Sequence, residues 1–259
     1  MKQNLWLIGG TTESVAIALA LKTYLSCLVI TVTTETARSL YPPEFQIEVG
    51  CLNAKQMHIF CRQRNIGAIV DASHPYAVEV SQNASMTAKS LNIPYLRYER
   101  PLVEASVKSD RVTVLDSFET LLEGNYLDNK RVLLTVGCKA LPLFKSWQER
   151  SQLWARILPK LESLQIALEA GFTSDRLICL RPPINLELET ALWRQWQISL
   201  VVTKASGKAG GEDIKTQVAE KLDIPLIIIS RPKICYPQQT SCINKVVAFC
   251  SQHTISNSI

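Results

Sequence analysis

The sequence predicts an α/β protein made of two doubly wound halves, each built on a mainly parallel sheet. Three observations carry this. Short Val/Ile/Leu-rich runs alternate with amphipathic stretches from end to end, the pattern of buried parallel strands joined by helices. Several runs stop at small polar loops such as Gly9-Gly10-Thr11-Thr12 and Asp71-Ala72-Ser73. Finally, one unit is echoed: Leu91-Asn92-Ile93-Pro94, five residues, Arg100-Pro101 returns as Leu222-Asp223-Ile224-Pro225, five residues, Arg231-Pro232. Each copy follows a buried run ending in an Ala-Ser loop, Val70-Asp71-Ala72-Ser73 or Val202-Thr203-Lys204-Ala205-Ser206.

In chain order, strands are expected at 5–8, 27–32, 46–49, 68–70, 94–97, 112–115, 132–136, 177–180, 199–202 and 226–229. Helices are expected after Gly10 and over 53–65, 76–91, 160–170, 186–196 and 212–222, with a short one near 240–250. The prolines at 94 and 225 fit strand starts, where no ladder donor is lost. A boundary is expected in the polar stretch around 100–130.

Composition narrows the function. The chain has 259 residues, 47% hydrophobic and 20% charged, close to the globular average, which rules out disorder and coiled coil. No apolar run reaches the ~18–20 residues of a membrane span, and the run at 5–8 is too short for a secretory leader. The net charge of +5 is scattered rather than gathered in a basic stripe, so no nucleic-acid partner is expected. Eight cysteines without a CxxC pair and three histidines offer no metal site of usual spacing. They read as reduced thiols of a cytoplasmic protein. The oligomeric state is not set by the sequence, with a monomer as the default.

Three loops could carry chemistry. Gly9-Gly10-Thr11-Thr12-Glu13 lies between a strand and a helix, where small residues and helix amides admit a phosphate. It lacks the full G-x-G-x-x-G fingerprint and reads also as a tight turn capped by Thr12. The second strand ends at Thr33-Thr34, with Glu35 and Arg38 beyond. Hydroxyls plus an arginine there suit a 2′-phosphate, favouring NADPH over NADH. Asp71-Ala72-Ser73-His74-Pro75-Tyr76-Ala77 follows a strand at the carboxyl edge of the sheet, and His74 or Tyr76 could move a proton. The same loop reads also as a helix cap and turn. The third loop, Lys204 to Gly211, holds Ser206, Gly207 and Lys208 and suits an anion, or else is a solvated hairpin. It does not match G-x-x-x-x-G-K-[ST], so an NTPase is not expected.

Together these segments, with Asn83, Pro94-Tyr95-Leu96-Arg97-Tyr98-Glu99-Arg100-Pro101, Trp154-Ala155-Arg156-Ile157-Leu158-Pro159 and Arg231-Pro232, resemble the precorrin-6A reductase family of cobalamin biosynthesis, including its cobalt-precorrin-6A branch. The resemblance spans about 5–232. The chain departs from the family pattern at Val136 and Ala205. The resemblance implies two Rossmann-like domains facing across a cleft, 1–105 for the dinucleotide and 106–259 for the tetrapyrrole, and reduction of one macrocycle double bond by a nicotinamide nucleotide.

With that implied reaction, Gly9, Gly10, Thr11, Thr12, Glu13, Thr33, Thr34, Arg38, Asp71, Ser73, His74 and Pro75 are expected at the cofactor. A polycarboxylate substrate needs dispersed cations, for which Arg97, Arg100, Arg156, Lys204 and Lys208 are expected, beside Ser206 and Gly207. His74, Tyr76 and Lys204 are the expected catalytic groups. The competing readings are a two-domain sugar-nucleotide transferase and a non-catalytic dinucleotide sensor.

Overall fold

The computed structural model describes residues 3–101 and 110–254. The chain forms two α/β units. The first runs through β1 (Asn4–Ile8), α1 (Thr12–Ala20), β2 (Leu28–Val32), α2 (Glu35–Arg38), β3 (Gln46–Val49), α3 (Ala54–Gln63), β4 (Ile66–Asp71), α4 (Val78–Leu91) and β5 (Tyr95–Tyr98). The second comprises β6 (Val112–Leu115), α5 (Phe118–Glu123), β7 (Arg131–Thr135), β8 (Gln152–Ile157), α6 (Leu161–Glu169), β9 (Leu177–Cys179), α7 (Leu186–Gln195), β10 (Leu200–Lys204), α8 (Glu212–Leu222) and β11 (Leu226–Ile229). The chain then adds β12 (Gln239–Thr240) and α9 (Ile243–Thr254).

Both sheets have six strands, all parallel. The first is ordered β12-β5-β4-β1-β2-β3 and the second β6-β11-β10-β7-β8-β9. Numbered from β1 in the first unit and from β7 in the second, the two orders coincide over five strands, with a topological switch between β1 and β4 and between β7 and β10. The sixth strand comes from opposite sources: β6 precedes β7 in the chain, whereas β12 arrives after the whole second unit. Ligand crevices of doubly wound sheets lie at such switch points, beyond the carboxyl ends of the strands.

Alternating side chains explain the cores. Leu5, Leu7, Ile30 and Val70 face one side of the first sheet, under Ile17 of α1 and Val246 and Phe249 of α9. Trp6, Ile8, Val29 and Ile69 face the other, under Met57 and Phe60 of α3 and Ala84 of α4. The second sheet is likewise covered on both faces. The repeated Asn92 and Asp223 occupy one role, closing α4 and α8 in left-handed conformations with φ of 52° and 57°.

Two expectations are corrected. The second domain does not run from 106 to 259: the segment from Lys233 onward belongs to the first unit, where α9 buries Val246, Phe249 and Cys250 on the sheet and β12 pairs with β5. The expected boundary at 100–130 includes 102–109, outside the described residues. Thr12 does not cap α1. Thr11 does, accepting from Ser14 N–H, while the Ser14 hydroxyl accepts from Thr11 N–H in a reciprocal capping box. Among the described residues no helix is long and apolar enough to cross a membrane. All eight cysteines are free thiols.

Candidate functional site

At the first switch point, the β1–α1 turn is shaped by two glycines for different reasons. Gly10 has φ of +103°, a region costly for any side chain. Gly9 has no room: a Cβ there would stand 2.2 Å from the Tyr41 hydroxyl. Thr11 Oγ1 donates to the Ala72 carbonyl at 3.0 Å, tying this turn to the β4–α4 loop. Beyond β2, Thr33 is exposed, and Thr34 caps α2 by accepting from Ala37 N–H. Arg38 stands 3.7 Å from Glu35 on the same short helix.

The β4–α4 loop rests on a buried polar lattice. Asp71 is fully buried and accepts from Ser73 N–H at 2.9 Å, from the Tyr95 hydroxyl at 2.8 Å and from Arg97 Nη1 at 2.9 Å. Arg97 Nη1 also donates to Ser73 Oγ at 2.9 Å, and its Nε donates to Glu99. Its Nη2 is buried without a hydrogen-bond partner, and the guanidinium lies over the Tyr236 ring, 5.5 Å from the centroid. Burial and the Asp71 carboxylate push the Tyr95 phenol far above its ordinary range. Above this lattice His74 is exposed, and its Nδ1 accepts from Tyr76 N–H at 3.2 Å. That bond puts the proton of neutral His74 on Nε2. Asp71 and Ser73 do not cap α4, whose N-cap Ala77 has no side-chain hydrogen bond.

The β1–α1 turn, the end of β2 and the β4–α4 loop enclose a pocket of about 140 Å³ lined by Gly9, Gly10, Thr33, Cys51, Ser73 and His74 among others. Asp71 lies beneath its wall and cannot contact a ligand there. Two expected substrate cations are also corrected. Arg97 is sealed by Asp71, and Arg100, 9% exposed, stands 2.9 Å from the Glu13 carboxylate. Burying a charge demands a partner, and these partners are already built in.

In the second unit Lys204 ends β10 at the corresponding position. It is half-buried, with its ammonium 5.6 Å from the Phe118 ring centroid. Burial lowers its pKa, Cys138 opposes the shift and Lys139 adds to it. The following loop is no loose hairpin. Gly207 N–H donates to Glu212 Oε2 at 2.8 Å, and Lys215 Nζ donates to the Gly210 and Gly211 carbonyls at 2.7 and 3.1 Å. Arg231 Nε donates to the Ala205 carbonyl at 2.8 Å. A Cβ on Gly210 would collide with Ser206 Oγ. Lys215 is 2% exposed, and burial, aided by Arg156, pulls its pKa down to about 8. Arg156 itself is spent on buried Glu189 at 2.5 Å, which also accepts from Trp193 Nε1. It is a structural cation rather than a substrate grip. Lys208 is exposed on the loop.

The family model described as precorrin-6x reductase CbiJ/CobK matches residues 4–251. The chain belongs to this reductase family. It is 44% identical to the cobalt-precorrin-6A reductase of Synechocystis over 253 residues, covering 96% of this chain and 97% of that protein. To the cobalt-precorrin-6A reductase of Priestia megaterium it is 33% identical, covering 93% and 95%. The solved structure titled CobK precorrin-6A reductase shares its fold, with a TM-score of 0.80 at 22% identity over 97% of each chain. The chain is therefore an oxidoreductase of cobalamin biosynthesis.

Within this reductase the sequence reading missed Tyr41, Cys51 and Tyr236, and met Tyr95 only as part of the Pro94–Pro101 block, without its bond to Asp71. None sits in a loop motif, and each reaches its place through contacts more than 20 residues away in the chain, or, for Cys51, by following β3 at the pocket edge. One signal was available: Arg97 lies within a four-residue run whose neighbours Tyr95, Leu96 and Tyr98 are strand formers, and a charge inside a buried parallel strand must be paired.

Proposed function

We propose that the chain reduces the macrocycle of cobalt-precorrin-6A by two hydrogens, with NADPH as donor bound on the first unit and the tetrapyrrole carboxylates on the 204–211 loop of the second. The observation that carries the reading is the convergence of the β1–α1 turn, Thr33 and the His74 loop on one pocket at a topological switch. The cobalt branch is supported by the names of the relatives at 44% and 33% identity. Family membership argues against the sugar-nucleotide transferase and sensor readings. Free thiols support a cytoplasmic setting.

The residues present fit a nucleotide. Gly9 and Gly10 keep the turn bare of side chains, and the Thr12 and Glu13 amides are first-turn donors with no intrahelical partner. The pocket is smaller than the roughly 300–1,000 Å³ that swallow a drug-sized ligand, so it would seat one ring while the rest lies along the loops. The acidic residue next to the end of β2 is Glu35, which opens α2 and pairs with Arg38 at 3.7 Å. Thr33 and Thr34 stand at the strand end with Arg38 one helical turn on, which suits a 2′-phosphate better than a bare ribose. A bound nicotinamide supplies the hydride.

The chain's own groups do the rest. His74 carries a transferable proton at Nε2, held in that tautomer by Tyr76 N–H. Tyr76 lies beside it, with ring centroids 5.9 Å apart. Lys204 and Lys208 offer ammonium groups to substrate carboxylates. The test is anaerobic incubation with precorrin-6A, with and without cobalt, and NADPH or NADH, read by mass and absorbance. A gain of two hydrogens, fastest with cobalt and NADPH, is expected. Turnover only with the metal-free macrocycle, or only with NADH, would overturn the branch or the donor.

A further inference from the structure

Tyr41 lies outside every motif of the chain, yet its hydroxyl is the hub of the glycine turn. Its oxygen stands 2.5 Å from Ser14 Oγ and accepts from Gly10 N–H at 3.0 Å. The proton directions follow from counting. Ser14 Oγ donates its one proton to the Thr11 carbonyl at 2.7 Å and accepts from Thr11 N–H at 2.9 Å. At the Ser14–Tyr41 contact, therefore, Tyr41 donates, and its lone pairs are left for Gly10. Burial raises the Tyr41 pKa, which keeps that donor proton on.

Counting from Gly9, Ser14 stands where the dinucleotide fingerprint carries its third glycine, the one that lets helix and strand approach closely. Here that position holds a side chain, and Tyr41 pins it. The same hydroxyl explains Gly9. The backbone there is outside the left-handed region, so glycine is not required by φ. It is required by space: the nearest atoms to a Cβ are Tyr41 Oη at 2.2 Å, then Ser14 Oγ and the Tyr41 ring carbon at 3.3 Å.

We propose that Tyr41 is the positioning residue of the nucleotide turn, its hydroxyl standing in for the missing fingerprint glycine and fixing which amides an anion meets. Gly10 and Thr11 N–H are consumed within the cluster, so the phosphates are received by the Thr12 and Glu13 amides. This rests on the assignment of the nucleotide to the first unit.

The test is a cycle of Tyr41→Phe, Gly9→Ala and the double variant, with NADPH affinity read by fluorescence titration, both Michaelis constants by steady-state kinetics, and folding by near-UV circular dichroism. Tyr41→Phe leaves Gly10 N–H unpaired and should weaken NADPH about fivefold to a hundredfold, with the tetrapyrrole KM unchanged. Gly9→Ala should weaken NADPH further, and the double variant should bind better than Gly9→Ala alone, because the clashing oxygen is gone. If Gly9→Ala fails to fold, the Tyr41→Phe arm decides. Thr33→Trp, an exposed change that fills the pocket, separates two failures. NADPH binding lost in Thr33→Trp but unmoved in Tyr41→Phe, with strictly additive effects in the cycle, overturns the role of Tyr41. NADPH binding indifferent to Thr33→Trp as well overturns the assignment of the nucleotide itself.

Discussion

Arg97 and Asp71 meet at 2.9 Å with neither side chain reaching solvent. The pair links β4 to β5 and, through Ser73, sets the floor under the His74 loop. Removing one partner of such a pair leaves the other charge buried and alone, at a cost of about 3–5 kcal/mol. Arg97→Met should lose that much in urea unfolding. A loss below about 1 kcal/mol, the value of an exposed pair, would mean that the guanidinium is available to ligands after all.

Lys215 should leave a signature in the pH dependence of stability. The folded protein releases its proton near pH 8, while the unfolded chain holds it to 10.5. Between these values the unfolded state binds more protons, so this group makes stability rise with pH. The full rise is about 3 kcal/mol. Unfolding free energies of the parent and Lys215→Met should therefore diverge as pH climbs from 8 to 10, and parallel curves would refute the buried cation.

Lys204 should act on one ligand only. An ammonium–carboxylate hydrogen bond is worth about 1.5–3 kcal/mol, so Lys204→Ala should raise the tetrapyrrole KM by about ten- to a hundredfold. Nucleotide affinity should stay as it was. An equal loss for both ligands would dissolve the division of labour between the units.

Cys51 reports on the pocket directly. It is exposed at the pocket edge, whereas Cys61 and Cys250 are buried with thiols pushed up to about 12. Reactivity follows thiolate character and access. Iodoacetamide should label Cys51 and spare Cys61 and Cys250 in peptide mass spectra. Added NADPH should slow Cys51 while leaving exposed Cys179 unchanged. Equal rates at Cys51 with and without nucleotide would count against the pocket.

How legible all this was depended on the range of the interactions. Leu28–Val32 is buried at every position, so its apolar run announced a central strand. Gln152–Ile157 did not read as a strand because Gln152 and Arg156 interrupt it, and the neutralising Glu189 lies 33 residues on. The stretch Cys138–Trp147, for which no element was predicted, forms 3₁₀ turns around Pro142 and joins the parallel strands β7 and β8. The return of the chain end to the first sheet hinges on a two-residue strand and on Val246, Phe249 and Cys250 finding a distant core. The glycine, histidine and lysine loops were legible as loops because local turn chemistry marks them. The fates of Arg97, Arg100 and Arg156 were not, since a sequence displays a charge without displaying its partner.

Hydrogen exchange with NADPH alone tests most directly whether the first unit holds the hydride donor. Protection should appear in peptides covering 9–14, 31–34, 49–52 and 72–80, and be absent from 204–211. Protection of 135–139 and 204–211, with the first set unchanged, would place the nucleotide on the second unit and contradict the account.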